Sequence, residues 1–182
     1  MTDKMTDVEE VLAIERIKRT KARYWYYMDM KDWDGLATVF TTDAIVDFRG
    51  ERDLKPGQPI SLLPPVEEAL AAGDVATYQG RDFIAKWYGE LLQEWRTVHH
   101  GHASIIEVTG KDSATGIWPL FDYISDGIRT MKGYGHYYEN YRFEDGEWRI
   151  AYLALTRLWK DGVHPAAFVG DPLPSEDIAD VG

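Results

Sequence analysis

The stretch 131-MKGYGHYYENYRFEDGEWRIAYLALTRLW-159 decides the fold. Met131 to Phe143 and Trp148 to Trp159 are two runs rich in aromatic and β-branched residues with a period of two. Glu144-Asp145-Gly146 between them is the signature of a tight hairpin. Working back toward the N-terminus, Ser113 to Ile124 reads as another strand, closed by Asp126-Gly127, and Thr97 to Val108 as one more. Before these strands the period becomes helical. Arg81 to Glu94 is a predicted helix, with Phe83, Ile84, Trp87, Leu91 and Trp95 on neighbouring turns. Residues 7–31 form the opening helix, with Ile14, Ile17, Tyr24 and Met28 on one face. Asp32 to Phe40 is a second, short helix with Trp33, Leu36 and Phe40 as its stripe. Ala44 to Phe48 is a strand ending at Arg49-Gly50.

The segment 49–80, with Pro56, Pro59, Pro64 and Pro65, reads as an irregular loop or lid holding a short helix from Glu67 to Ala72. The tail 161–182, rich in Pro, Gly and acidic residues, is expected to run over the surface or cross to a neighbouring subunit. Residues 1–182 thus make one domain with its core in 8–160. Its expected class is α+β: a curved antiparallel sheet with helices packed across its concave side, leaving a hollow between them.

Composition narrows the function classes. The 182 residues suffice for one sizeable core. A net charge of −11, from 31 acidic against 20 basic residues, disfavours non-specific nucleic-acid or anionic-membrane binding, which needs clustered Lys and Arg. The absence of cysteine excludes disulfides, thiolate nucleophiles and Cys-based metal sites. No run approaches the ~20 apolar residues of a membrane span. Polar, acidic Met1–Glu10 does not read as a signal peptide, so the expected location is the cytoplasm. Seven Trp, eleven Tyr and six Phe suit either an ordinary core or a pocket with apolar walls and a few polar points.

Strand parity puts Trp118, Leu120 and Asp122 on one face. A carboxylate among large apolar neighbours is costly without a partner, and a histidine is its natural one. Val98-His99-His100-Gly101-His102 supplies three, with His99 on one face and His100 and His102 on the other. His99 is assigned to the cavity and paired with Asp122, which would fix its tautomer and raise its basicity; a purely structural pair is the alternative. Tyr24 lies on the buried stripe of the first helix, where a phenol needs a hydrogen-bond partner. In a pocket it polarises a carbonyl or protonates a departing hydroxyl, and otherwise it is a core tyrosine. Asp29, near the end of that helix, is a candidate acid or a helix-terminus carboxylate. Arg157 interrupts the apolar run from Leu153 to Trp159. It would pair with Asp122 or Asp29, or grip an anionic substrate group. Phe48, Trp118, Leu120, His102 and Tyr138 are the expected substrate contacts.

Four segments carry a resemblance: Tyr24 with Asp29-Met30-Lys31-Asp32-Trp33-Asp34, Val98 to His102, Ala114-Thr115-Gly116 running to Asp122, and Asp145-Gly146-Glu147-Trp148 running to Thr156-Arg157-Leu158. In order and approximate spacing they resemble the SnoaL-like, scytalone dehydratase-like branch of the nuclear transport factor 2-like superfamily. The resemblance implies a cone-shaped α+β barrel, a homodimer or homotrimer, a small-molecule substrate, and neither metal nor organic cofactor. A bile-acid dehydratase-like pattern puts Tyr24, His99, Asp122 and Arg157 at active-site positions, and a scytalone dehydratase-like pattern puts Asp29 and His99 there. The second histidine of the latter has no match, Asp122 lying near its place. Phe48 replaces a cavity tyrosine of the former, and the loop at 51–80 is longer than the family's.

The expected function is therefore a cofactor-independent lyase of the dehydratase kind, acting on a hydroxylated aromatic, polyketide-like or polycyclic molecule. His99 would remove a proton and Tyr24 would donate to the oxygen. A retro-aldol C–C lyase, an isomerase or a cyclase needs the same groups. Two rivals are a non-catalytic binding module and a metal-dependent cupin built on His100, His102, Glu107, His136 and Asn140.

Overall fold

The structure, a computed structural model, describes residues 5–162. Helix α1 (Asp7–Met30) starts at a capping box: the Thr6 hydroxyl accepts from the Glu9 amide, and the Glu9 carboxylate accepts from the Thr6 amide at 2.7 Å. Such a cap contributes about 1 kcal/mol. The helix ends where Lys31 turns left-handed (φ 61°). Its buried stripe is Ala13, Ile17, Thr20, Lys21, Tyr24 and Met28. Helix α2 (Trp33–Thr38) follows, capped by Asp32, and strand β1 (Phe40–Asp47) begins at the residue the sequence pattern assigned to the end of that helix.

Segment 49–80 is not the irregular loop expected. It holds α3 (Arg49–Asp53), a 3-10 turn (Ile60–Leu62), α4 (Val66–Ala71) and a short strand β2 (Thr77–Gln79). It is anchored: the Gly57 amide donates to the Arg157 carbonyl at 2.9 Å, and Asp47 takes Arg49 in a bidentate pair at 2.9 and 2.7 Å. Helix α5 (Arg81–Leu92) comes next, then β3 (Arg96–Gly101), β4 (Ile105–Gly110), β5 (Ser113–Ser125), β6 (Thr130–Glu144) and β7 (Glu147–Gly162). The hairpin between β6 and β7 closes on Asp145 and Gly146, both at positive φ (53° and 82°), as a two-residue primed turn requires. Of the tail read from 161 onward, Asp161 and Gly162 belong to β7, and the remainder lies outside the described residues.

The strands form one open sheet in the order β2-β1-β7-β6-β5-β3, with β4 paired to β5 beyond β3. One junction departs from the antiparallel expectation: β1 runs parallel to β7. Thr97 to Val108 is likewise two strands rather than one. Between the pairs Gly101–Leu120 and Ile105–Ile117, β3 and β4 advance by one residue more than β5. Such an extra residue exchanges the two faces. Thr97 and His99 face inward on β3, and Ile106 and Val108 pack against the core from β4. β7 carries two further shifts against β6, at Tyr134/Gly135 and Asn140/Tyr141. Its inward row accordingly passes from Trp148 and Ile150 to Leu153, Leu155 and Arg157. Bulges increase local twist, and the sheet curls around α1, which lies across its inner face. Trp25 meets Trp118 edge-on at 5.6 Å and Tyr24 meets Tyr137 at 6.0 Å.

Candidate active site

α1 crosses β3 at its C-terminal end. One helical turn advances about 5.4 Å and two strand residues about 6.6 Å, so Trp25 and Asp29, four apart on the helix, are matched to successive inward positions of β3. Trp25 fills the place a side chain would take at Gly101, where a Cβ would fall 1.6 Å from its ring. Asp29 covers His99. Its Oδ2 accepts from the His99 amide at 2.9 Å, and its Oδ1 lies 2.7 Å from His99 Nδ1. The same Oδ1 accepts from the Thr97 hydroxyl at 2.9 Å, and that hydroxyl accepts from Lys31 Nζ at 2.7 Å.

The carboxylate defines the imidazole tautomer. Nδ1 carries the hydrogen it donates to Asp29, and Nε2 is left as the acceptor, without a hydrogen-bond partner among the described residues. Burial pushes the Asp29 carboxyl up, but the His99 ring and amide and the Thr97 hydroxyl outweigh it and hold it below its ordinary value. His99, with 6% of its side chain exposed, is sheltered without being sealed.

The acid beside His99 is therefore Asp29 and not Asp122. Asp122 is directly opposite His99 in the β3–β5 register, yet its carboxylate is taken by Arg157 in a bidentate pair at 3.0 and 2.9 Å. A buried guanidinium needs a carboxylate more than a neutral imidazole does. Glu51, from α3, adds a second carboxylate 3.3 Å from Arg157. Burial pulls the Arg157 guanidinium down, but Glu51 and Asp122 raise it above its ordinary value. Arg157 is thus committed to two acids rather than open to an anionic substrate.

Tyr24 is fully buried and its hydroxyl lies 3.2 Å from that of Tyr88 on α5. Burial raises both phenols well above their ordinary value, so each remains a proton donor. Of the expected substrate contacts, Phe48, Trp118 and Leu120 are inside. Phe48 packs on Trp87 at 5.6 Å, and Trp118 donates to the Tyr141 hydroxyl at 2.9 Å. His102 and Tyr138 are corrections. Tyr138 neighbours inward Tyr137 and therefore faces out, where it meets His136 at 6.3 Å, and His102 is exposed beyond the end of β3. The cupin alternative fails on architecture: its His100, His102 and Glu107 are exposed on a sheet wrapped around a long helix, not inside a β-sandwich.

Three features were not anticipated. Lys21 is buried on α1 and ion-paired with buried Glu139, which also accepts from the Tyr141 hydroxyl. Burial pulls the lysine down to about 8, with Glu139 opposing. The spacing Lys21-Trp25-Asp29, a run of i, i+4 steps, signals that all three share a side of α1. Among the described residues, buried Trp25 Nε1, Arg157 Nε and Glu51 Oε2 have no hydrogen-bond partner. A groove of about 240 Å³ lined by Met5, Leu12, Ala13, Phe143 and Trp148 opens at the other end of α1, away from the dyad.

An open curled sheet closed on its inner side by one long helix, with an Asp–His dyad where the two cross, defines a cone-shaped α+β protein of the nuclear transport factor 2-like superfamily. Residues 9–154 match the SnoaL-like domain family, and the chain belongs to it. Solved structures with the same fold include a candidate scytalone dehydratase from Novosphingobium aromaticivorans, 19% identical over 89% of this chain and 95% of that one, with a TM-score of 0.68. A hexachlorocyclohexane dehydrochlorinase from Novosphingobium barchaimii is 16% identical over 91% and 100%, with a TM-score of 0.67. A Mycobacterium tuberculosis protein of unknown function is 24% identical over 97% and 86%, with a TM-score of 0.63.

Proposed function

We propose that this protein is a cofactor-independent lyase of the dehydratase kind, acting on a hydroxylated ring compound. The observation that carries the reading is the Asp29–His99 dyad, whose Nδ1 contact leaves Nε2 as the acceptor, with no hydrogen-bond partner among the described residues. His99 Nε2 takes an acidic C–H proton, and that electron pair becomes the new C=C bond. The C–O bond breaks and its oxygen leaves as water, with a proton from the Tyr24–Tyr88 phenol pair; solvent then returns the proton from the imidazolium to the phenol. Base and donor contribute roughly 10²–10⁴ each. The orphaned Trp25 N–H is a further donor for a substrate oxygen, since leaving it dry costs about 1–3 kcal/mol. Commitment of Arg157 to Asp122 and Glu51 favours an uncharged substrate over a carboxylate. The structures of a candidate dehydratase and a dehydrochlorinase, both named for eliminations, support the class of reaction. Retro-aldol cleavage, isomerisation and cyclisation use the same base and donor.

Purified protein incubated with a panel of hydroxylated cyclic ketones and polycyclic phenols, followed by mass spectrometry, is expected to show loss of one water from at least one member. His99→Ala and Asp29→Asn should lower that rate by about 10²–10⁴. Full turnover by His99→Ala would remove the proposal. The outer face of the sheet also supports a self-associating molecule, through a row of exposed rings.

A further inference from the structure

Lys31 occupies a position where glycine or asparagine is usual. It is the left-handed residue that ends α1, at φ 61° and ψ 29°. For a side chain with a Cβ that conformation is strained. Its side chain does not run out to water. It folds back onto β3, half-buried, and donates to the Thr97 hydroxyl at 2.7 Å. The lysine has no acceptor of its own, so the hydroxyl oxygen must receive and the hydroxyl hydrogen must point elsewhere. It points to Asp29 Oδ1, at 2.9 Å, the oxygen that also holds His99 Nδ1 at 2.7 Å. The donors of the chain Lys31–Thr97–Asp29–His99 therefore converge on the Asp29 carboxylate, from Lys31 through the Thr97 hydroxyl on one side and from His99 Nδ1 on the other.

We propose that Lys31 is a positioning residue for the dyad: through the Thr97 hydroxyl it fixes the rotamer of Asp29, and its positive charge favours the neutral, proton-accepting imidazole of His99. This deepens the lyase reading and rests on it. Burial pulls the Lys31 ammonium down to about 8, with Asp29 opposing, so the charge is held over neutral pH and is released just above it. The groups facing the relay are few. α1 contributes Asp29 and β3 contributes Thr97 and His99. α2 contributes the Trp33 ring, 5.8 Å from Lys31 Nζ, whose own N–H is taken by Gln93. β5 contributes Asp122, paired with Arg157 of β7, which also meets Glu51 of α3; Glu51 in turn lies 3.7 Å from Lys160 of β7, so the two acids face two cations.

The sign follows from the charges. A cation two hydrogen bonds away opposes protonation of His99. Losing it, by substitution or by raising pH past the lysine's own titration, makes the imidazole more basic and loosens Asp29. The test needs no substrate. Histidine-labelled protein is titrated by NMR, the His99 signal being assigned by its absence in His99→Gln, since the sequence holds five histidines. Lys31→Met should move the His99 midpoint upward, because the opposing cation is gone. Lys31→Arg should leave it where the parent has it, because the charge and donor are restored. Thr97→Val, which keeps the shape and removes the hydroxyl, should shift it in the direction of Lys31→Met. A His99 midpoint unchanged in both folded Lys31→Met and Thr97→Val overturns the relay; should Lys31→Met not fold, Thr97→Val alone decides. That outcome is distinct from failure of the lyase reading, which is marked by turnover persisting in His99→Ala whatever the titration shows.

Discussion

Asp29 binds His99 twice, once at the ring and once at the backbone amide, and this double grip explains why a nearer-seeming carboxylate loses the competition. Parity along β5 correctly set Asp122 facing inward, but parity reports only which side a residue faces. The choice between Asp29 and Asp122 depends on where α1 crosses the sheet and where Arg157 lands, and neither is written into local spacing. The same limit applies to Lys21. Its helix phase was legible, but its burial against Glu139, 118 residues further along the chain, was not. Removing one member of such a pair leaves an uncompensated charge, so Lys21→Met should destabilise the protein by about 3–5 kcal/mol, and adding Glu139→Gln should recover most of that, as read by urea denaturation. The pair also predicts a pH dependence. Below about 8 the lysine is protonated both folded and unfolded, and the cost of burying its charge is carried in full. From there to its ordinary value of 10.5 the unfolded chain binds a proton the folded one releases, so stability rises with pH. Lys31, also pulled down to about 8, acts in the same direction. Buried Tyr24, Tyr88, Tyr137 and Tyr141 are raised above 10.0 and oppose this once unfolded phenols ionise. Denaturation midpoints should therefore climb from pH 8 toward about 10 and fall beyond it, and Lys21→Met/Glu139→Gln should flatten the climb.

Elements with strong periodicity were readable end to end: α1, α5 and the β6–β7 hairpin all stand where the pattern put them. The failures share a cause. The split of Thr97–Val108 into β3 and β4 and the two shifts in β7 are single-residue insertions into a ladder, and they register only against a partner strand. β2 is three residues long and pairs with β1 alone, too short for a period to show. α3 was lost because proline and glycine around it signal a loop, whereas its stability comes from docking on β7. That docking is tight at Gly50, where an added Cβ would stand 2.4 Å from the Leu155 carbonyl oxygen. Backbone cannot yield as a side-chain tip can, so Gly50→Ala should lift α3 at a cost of about 1–3 kcal/mol. Limited proteolysis should then cut first within 49–63, while the parent is spared there. An unaltered cleavage pattern would show that α3 does not depend on that approach. Because Glu51 sits on α3, the same variant should also free Arg157 from one of its carboxylates.

The chain carries −11, and yet among the described residues the outer face of the sheet gathers exposed rings with few charges between them. On the outer side of the sheet His100, Phe121, Tyr134 and Trp159 stand in register across four strands, with ring separations of 5.9 Å between the first two and 5.2 Å between the second and third. Trp159 is outward only because the shift at Tyr134/Gly135 exchanges the faces of β7 beyond Arg157, and it is left 63% exposed. Val98 and Ile105 are exposed around the row, and the neighbouring charges, Lys132 and Asp161, offset one another at 4.0 Å. An acidic protein meets a second copy of itself most easily where its own charge is sparse or offset, and an aromatic patch poor in acids has the composition of an interface core. A two-fold axis through that row would bring the same rings onto each other, as closed dimers require. Sedimentation at micromolar concentration should therefore give twice the mass of the 20.9 kDa chain. Trp159→Glu combined with Tyr134→Glu should return it to the monomer, without disturbing the fold read by circular dichroism, because neither side chain enters the core. The dyad faces the opposite side of the sheet, so the monomeric variant should keep the His99 titration of the parent. A parent that sediments as a single chain at those concentrations would leave the aromatic row without this explanation.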